Sequence, residues 1–149
     1  MWGWISLHSV GELAHIEGRF TAAKYIEMLE ECYLPSLRDS PYSFSGQIVF
    51  IHDKCPIHTA RIVQQWFMEQ PNLELLDWPS KGCDMNPIEN VWANRVNCWD
   101  AAHERTSEQH TQAQWEMFRV NLRLVNSIVS NMSERLQAVI EKGGGWSGY

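Results

Sequence analysis

The sequence predicts an α/β layered domain, on three observations. A β-rich apolar run, Ile48-Val49-Phe50-Ile51, reads as a buried strand, and Leu73-Glu74-Leu75-Leu76 reads as a second, shorter one. The stretches around them carry apolar residues at helical spacing, and strands alternating with helices argue for a sheet covered by helices. With 149 residues, 44% hydrophobic and 11% aromatic, the chain is long enough for one domain with a real core and is not composed like a disordered segment.

Taken in order, Trp2-Gly3-Trp4-Ile5-Ser6-Leu7 reads as a strand, Ser9-Val10-Gly11 as a turn and Leu13-Ala14-His15-Ile16 as the return, together a β-hairpin. Thr21 caps a helix on which Tyr25, Leu29 and Cys32 share a face with Ile26 beside it, and Pro35 and the loop 39–43 end it. After the strand at 48–51, Val63, Trp66 and Phe67 fall at i, i+3 and i+4 of a helix that starts near Thr59 and closes at Pro71. Trp78-Pro79 leads from the strand at 73–76 into a loop over 80–85. A helix from Asn86 turns Ile88, Val91, Trp92 and Val96 inward. The polar segment 101–114 reads as a loop with a helix start at Thr106 or Ser107, and Trp115, Phe118, Leu122 and Val125 follow at helical spacing. Ser133 is the expected cap of a last helix through Leu136, Val139 and Ile140, which Lys142 and Gly143 end. Residues 1–100 are thus expected to hold the sheet and residues 101–149 a set of C-terminal helices. Tryptophans 66, 92, 99 and 115 sit at core positions, with base stacking as the lesser alternative.

Composition excludes several classes. No apolar run approaches a membrane span, and no signal peptide precedes the first strand. Cys32, Cys55, Cys83 and Cys98 form no C-x-x-C pair, which argues against a structural zinc or a disulfide framework, and reduced thiols fit the nucleus or cytoplasm. The formal charge of −6, with 12 basic residues and no dense cluster of them, speaks against strong autonomous DNA binding, because duplex affinity comes largely from neutralised phosphates.

The chemistry-bearing residues are two acids. Asp53 falls where the strand at 48–51 should end. Glu89 lies on the first turn of the helix announced by Asn86-Pro87-Ile88-Glu89, with Asn as cap and Pro at the first position. Carboxylates on a strand end and a helix start can converge on a divalent cation for phosphoryl transfer. Asn-Pro-x-Glu is also a capping box, and on spacing alone the cap is the stronger reading of Glu89. His58 is either a metal ligand, a proton shuttle or, more simply, a helix-start histidine with local hydrogen bonds. Lys54 stands where it could pair with Asp53 and compete with a metal. Asp84 is a loop residue close enough to Glu89 to be a weak ligand candidate.

The blocks HDKCPIHTAR, LLDWPSK, DMNPIENVW and RLQAVIEKGGGWSGY occur in the order of the catalytic domain of mariner-type transposases, of the DDE/D superfamily, and the chain resembles that domain from about Trp2 to Tyr149. With these blocks around them, the acids become catalytic candidates: Asp53 matches the second catalytic aspartate and Glu89 the final acid. Their spacing is one residue longer than is usual in this branch, and the loop at Pro71-Asn72 can absorb the extra residue. Lys54 replaces a common Asn, and Gly82-Cys83 replaces a usual Ser-Pro, so a looser loop ahead of Glu89 is expected.

The resemblance implies a ribonuclease H-like fold that cuts and rejoins DNA with two metals, Mg²⁺ or Mn²⁺, about 3.5–4 Å apart. In the family, the first catalytic aspartate lies on a central strand upstream of the block resembling MWGWISL. Glu12, Glu17, Glu27, Glu30, Glu31 and Asp39 precede Asp53, and none stands in a matching context. The family's N-terminal helix-turn-helix region has no counterpart either. The expectation is therefore an N-terminally truncated ribonuclease H-like fold, with the first, central strand missing, metal bound in the millimolar range at best, DNA bound weakly and catalysis impaired or absent. Whether the chain is an enzyme stays open. The rival is a non-enzymatic interaction module that pairs with full-length transposase, another partner or a second copy. A gap or rearranged pairing is expected beside the strand at 48–51, since an open apolar edge is a template for another chain.

Overall fold

The computed structural model describes residues 1–39, 46–80, 82, 85–97 and 108–144, without the side chains of 94–97. The expected loop over 40–43, Cys83, Asp84, Cys98, Trp99 and the helix start at Thr106 or Ser107 lie outside these residues. The N-terminal hairpin is paired but does not form two regular strands. Antiparallel bridges join Trp2 to Ala14 and Ile5 to Val10. The Trp2 and Ala14 amides each donate to the other's carbonyl, at 2.9 and 2.7 Å, and the Gly11 amide donates to the Trp4 carbonyl. Ser6 closes the turn itself: its hydroxyl oxygen accepts from the amides of His8 and Ser9, at 3.2 and 2.9 Å.

Thr21 caps α1 (Ala22–Met28), its hydroxyl accepting from the Lys24 amide at 3.3 Å. Pro35 does not end the helix, contrary to the sequence expectation. A π turn, Leu29–Tyr33, lies between α1 and α2 (Leu34–Arg38), and the Leu34 amide bonds back five residues to the Leu29 carbonyl. Proline lacks an amide hydrogen and its ring crowds the carbonyl four residues before it. Widening the preceding turn shifts the ladder there, so Pro35 becomes an acceptable first-turn residue of α2.

β1 (Ile48–Phe50) and β2 (Leu73–Leu75) pair in parallel, Val49 opposite Glu74, and α3 (Arg61–Met68) crosses between them. Both strands stop one residue short of their apolar runs. α3 starts after Thr59, whose amide and hydroxyl both donate to the Cys55 carbonyl in the preceding turn. Its Val63, Trp66 and Phe67 are buried, as their spacing indicated. Among the described residues these two strands are the whole sheet.

Four helices follow: α4 (Pro87–Asn97), α5 (Glu108–Val120), α6 (Leu122–Ser130) and α7 (Met132–Glu141). The stripe from Trp115 to Val125 is split, because Asn121 leaves helical geometry (ψ 67°) between α5 and α6. Ser133 lies inside α7, where Asn131 holds the cap position instead, a second correction. At the far end of α7 the Gly144 amide reaches the Val139 carbonyl and the Gly143 amide that of Ile140. With Gly143 at φ 61°, this is a Schellman stop that the Lys-Gly signal had indicated.

Two apolar clusters result. The first gathers Tyr25, Leu29, Tyr33, Phe50, Val63, Phe67 and Leu73 between α1–α2, the sheet and α3. The second joins Val10 of the hairpin to Val91, Trp115, Phe118 and Val125 of α4–α6. A cavity of about 410 Å³ lies between the hairpin's first segment, β1 and the start of α4. One edge of β1 is taken by β2; Val49, half exposed, lies on the cavity wall.

Candidate active site

Asp53 leaves β1 three residues after Phe50 and is fixed at once by its own chain. Its Oδ1 accepts from the Cys55 amide at 3.2 Å and from His58 Nδ1 at 2.6 Å. The His58 ring stacks on His52, centroids 4.8 Å apart and 7° between planes, and packs against Tyr25 at 4.4 Å. The Tyr25 hydroxyl, which burial keeps protonated by pushing its pKa up, lies 3.0 Å from His52 Nδ1. A buried tyrosine on α1 thereby holds the histidine pair that orients Asp53.

Glu89 is placed by the start of α4. The Asn86 side-chain oxygen accepts from the Ile88 amide at 3.3 Å and its carbonyl from the Glu89 amide at 3.1 Å, with Pro87 at the first position. Asn86 therefore caps α4 as its motif indicated, and Glu89 is exposed on the helix's first turn. Asp53, His52, His58 and Glu89 all line the same cavity. Burial raises the Glu89 pKa, and the negative charge of Asp53 raises it further. Burial also pushes Asp53 up, but the Cys55 amide and His58 outweigh it and hold the carboxyl below its ordinary value. Asp53 is thus the ionised anchor, and Glu89 the acid that gains most from a nearby cation.

Lys54 does not pair with Asp53. Its Nζ lies 2.6 Å from Asp77 Oδ1, just after β2, because successive side chains leave an extended segment on opposite sides. Asp53 keeps its charge for the cavity. The loop before Glu89 is anchored at its described points: Trp78 Nε1 donates to the Gly82 carbonyl at 2.9 Å, and the Gly82 carbonyl also accepts from the Met85 amide. A Cβ at Gly82 would lie 2.7 Å from Trp78 Nε1, so glycine there serves close packing. His58 makes the local hydrogen bond expected of it, but to Asp53. Sequence reasoning passed over His52 and Tyr25, whose only signals were a polar residue at the end of an apolar strand and a tyrosine on a core-facing stripe. It also passed over Cys55, whose thiol lies with Asp53 and His58.

The site carries a pH signature. His52 is pushed down to about 4, by burial first and by His58 second, against the upward pull of Asp53. An unfolded histidine titrates near about 6.5, so from there down to about 4 the unfolded chain binds the extra proton and folding stability declines. Allowing for solvent at this partly exposed ring, the expected loss is about 1–2 kcal/mol. Urea unfolding at about pH 7.5 and pH 4.5 in chelator, on the wild type and His52→Gln, checks it: the variant should lack this part of the decline.

Residues 1–112 match the family model described as DDE superfamily endonuclease. The chain is 29% identical over 147 residues to the Tcb2 transposase and 30% identical over 147 residues to the Tcb1 transposase, both of Caenorhabditis briggsae. It is 28% identical over 148 residues to the Tc1 transposase of Caenorhabditis elegans. Each alignment covers 97% of this chain and 52% of the relative, so the chain spans about half the length of the curated relatives it matches.

Proposed function

The chain belongs to the DDE superfamily endonucleases, and we propose that it is the part of a mariner-like transposase catalytic domain, ribonuclease H-like in fold, that presents Asp53 and Glu89 to a divalent metal for cutting and joining DNA. One observation carries this reading: two carboxylates from separate elements line one cavity, and the charge of Asp53 opposes ionisation of Glu89. Like charges held together in this way favour a cation between them. The donors are hard oxygens, which suits Mg²⁺ or Mn²⁺. The metal, when bound, supplies Lewis-acid stabilisation of charge at the scissile phosphate. Asp53, held by the Cys55 amide and His58, and Glu89 across the cavity would be the residues that hold the metal. His52 and Tyr25 keep His58 in place beside Asp53.

Two carboxylates leave most of an octahedral shell to water, so affinity is expected in the millimolar range, and cleavage by this chain alone is expected to be marginal. Titration of Mn²⁺ followed by its water-proton relaxation tests the assignment. Asp53→Asn and Glu89→Gln should each abolish the weak binding, and any nicking of supercoiled DNA should vanish in both. Binding unchanged in both variants would sink the site. The charge of −6 predicts that affinity for DNA comes mainly from elsewhere in a longer protein, in whose nuclear or cytoplasmic setting this chain acts.

A second reading is a non-enzymatic module that pairs with full-length transposase or a second copy. The half-exposed Val49 on the cavity-lining side of β1 favours it, since such an edge can accept a strand. Concentration-dependent self-association that survives Asp53→Asn and is lost in Val49→Pro would support it.

A further inference from the structure

We propose that Asp53, Cys55 and His58 form a second kind of metal site, for a borderline-soft cation such as Zn²⁺, that shares Asp53 with the carboxylate pair. The three side chains offer one oxygen, one sulfur and one nitrogen, and these donor atoms all lie within 4.8 Å of one another. Tetrahedral zinc, with bonds of about 2.0–2.3 Å, needs its donors roughly 3.3–3.7 Å apart. The 2.6 Å contact between Asp53 and His58 opens by about 1 Å as the proton between them is replaced by the metal, and the sulfur, within 4.8 Å of both, closes by no more than about 1.5 Å.

The turn is built before any ion arrives. Cys55 is a free thiol, neither fully buried nor fully exposed. Its amide is tied to Asp53, and its carbonyl accepts from both the amide and the hydroxyl of Thr59, so the chain from 53 to 59 is a closed unit. His58 is held from the other side by the stacked His52 ring and by Tyr25. Asp53 and His58 open onto the cavity, which leaves a fourth position for water or a ligand, the pattern of zinc sites with three protein donors.

Ligand softness separates this site from the one formed by Asp53 and Glu89. A thiolate and an imidazole select Zn²⁺ or Co²⁺ over Mg²⁺, whereas two carboxylates do the reverse. The spacing Asp-x-Cys-x-x-His escapes a search for C-x-x-C pairs, which is why cysteine arithmetic alone argued against zinc. Both sites draw on Asp53, so a cation seated on Cys55 and His58 competes with the hard metal for that carboxylate.

Cobalt(II) is the probe, added to the full chain at neutral pH without reductant metal contaminants. The expected result is a near-ultraviolet thiolate-to-cobalt charge-transfer band with intense visible bands of tetrahedral coordination, both displaced by Zn²⁺ and unaffected by excess Mg²⁺. Cys55→Ser and His58→Gln should lose the band, while Glu89→Gln and a triple Cys32→Ser, Cys83→Ser, Cys98→Ser variant should keep it. Loss of an outer-shell partner already costs about 10–100-fold in metal affinity, so loss of either direct donor is expected to cost no less. Thermal unfolding of Cys55→Ser in chelator confirms that the variant is folded. No band in the wild type, or a band that persists in Cys55→Ser, overturns the proposal. Retention of the band in Glu89→Gln keeps this outcome distinct from that of the carboxylate site.

Discussion

Trp115→Ala is expected to destabilise the chain by about 3–5 kcal/mol, the range for removing a buried aromatic, against a total of about 5–15 kcal/mol for a domain. Trp115 is 1% exposed and central to the second apolar cluster. Its ring stacks on Trp92 at 5.1 Å, and its Nε1 donates to the Gly11 carbonyl at 2.7 Å. The fit continues at Gly3, where a Cβ would lie 2.5 Å from the Trp115 ring, and at Gly11, where a Cβ would lie 1.9 Å from Trp4 Nε1. Backbone without side chains approaches two indoles here, and alanine at 115 would leave a void that these glycines cannot fill. Trp115→Phe keeps much of the volume but leaves the buried Gly11 carbonyl without its donor, at a cost of about 1–3 kcal/mol. Chemical denaturation followed by far-UV circular dichroism checks both. A loss below about 1 kcal/mol in Trp115→Ala would mean that the hairpin does not seat on α5 in solution.

Tyr25→Ala should cost a comparable 3–5 kcal/mol or so in the first cluster. Tyr25 is fully buried and meets the rings of Trp2, Phe20 and both site histidines. The more telling variant is Tyr25→Phe, which keeps the ring and removes the hydroxyl from His52 Nδ1. That nitrogen loses its partner, with an expected penalty of about 1–3 kcal/mol. His52 then gains freedom to protonate or turn, and the stack that orients His58 on Asp53 loosens. Metal binding at Asp53 should weaken in Tyr25→Phe although the substitution touches no donor. Wild-type affinity in this variant would show that the histidine stack does not position Asp53.

Much of this organisation could be read from the residues. The two strands, the caps at Thr21 and Asn86, the inward stripe of α3 and the stop at Gly143 follow from local rules, and each of those rules acts within one turn or one strand. The misreadings share a different cause. Pro35 was taken as a terminator because the π turn that accommodates it has no pattern in sequence. Asn121 interrupts an unbroken apolar period, and Ser133 and Asn131 are cap residues of similar strength, so residue type alone could not place the start of α7. That Asp53 and Glu89 line one cavity agrees with the blocks around them, whereas the partners of Cys55 and Lys54 could not be read, because they depend on how the turn folds. Lys54 was placed against Asp53 by adjacency, and the structure turns it to Asp77.

The hydrogen bond from Trp115 to Gly11 also sets an order of events. It spans 104 positions of chain, whereas β1, α3 and β2 close on each other within 28 residues of sequence, from Ile48 to Leu75. Thermodynamically the long loop is tolerable, since each doubling of loop length costs only about 0.6 kcal/mol. In time it is not equivalent. At about 5–20 residues per second, a ribosome needs on the order of 5–20 s to advance from Gly11 to Trp115. Throughout that interval Gly3 and Gly11 lack the Trp115 indole that packs on the first and bonds to the second, while the β1–α3–β2 unit can already form. The nascent chain thus carries a finished half beside an unfinished apolar one, and its burden on chaperones falls on the hairpin.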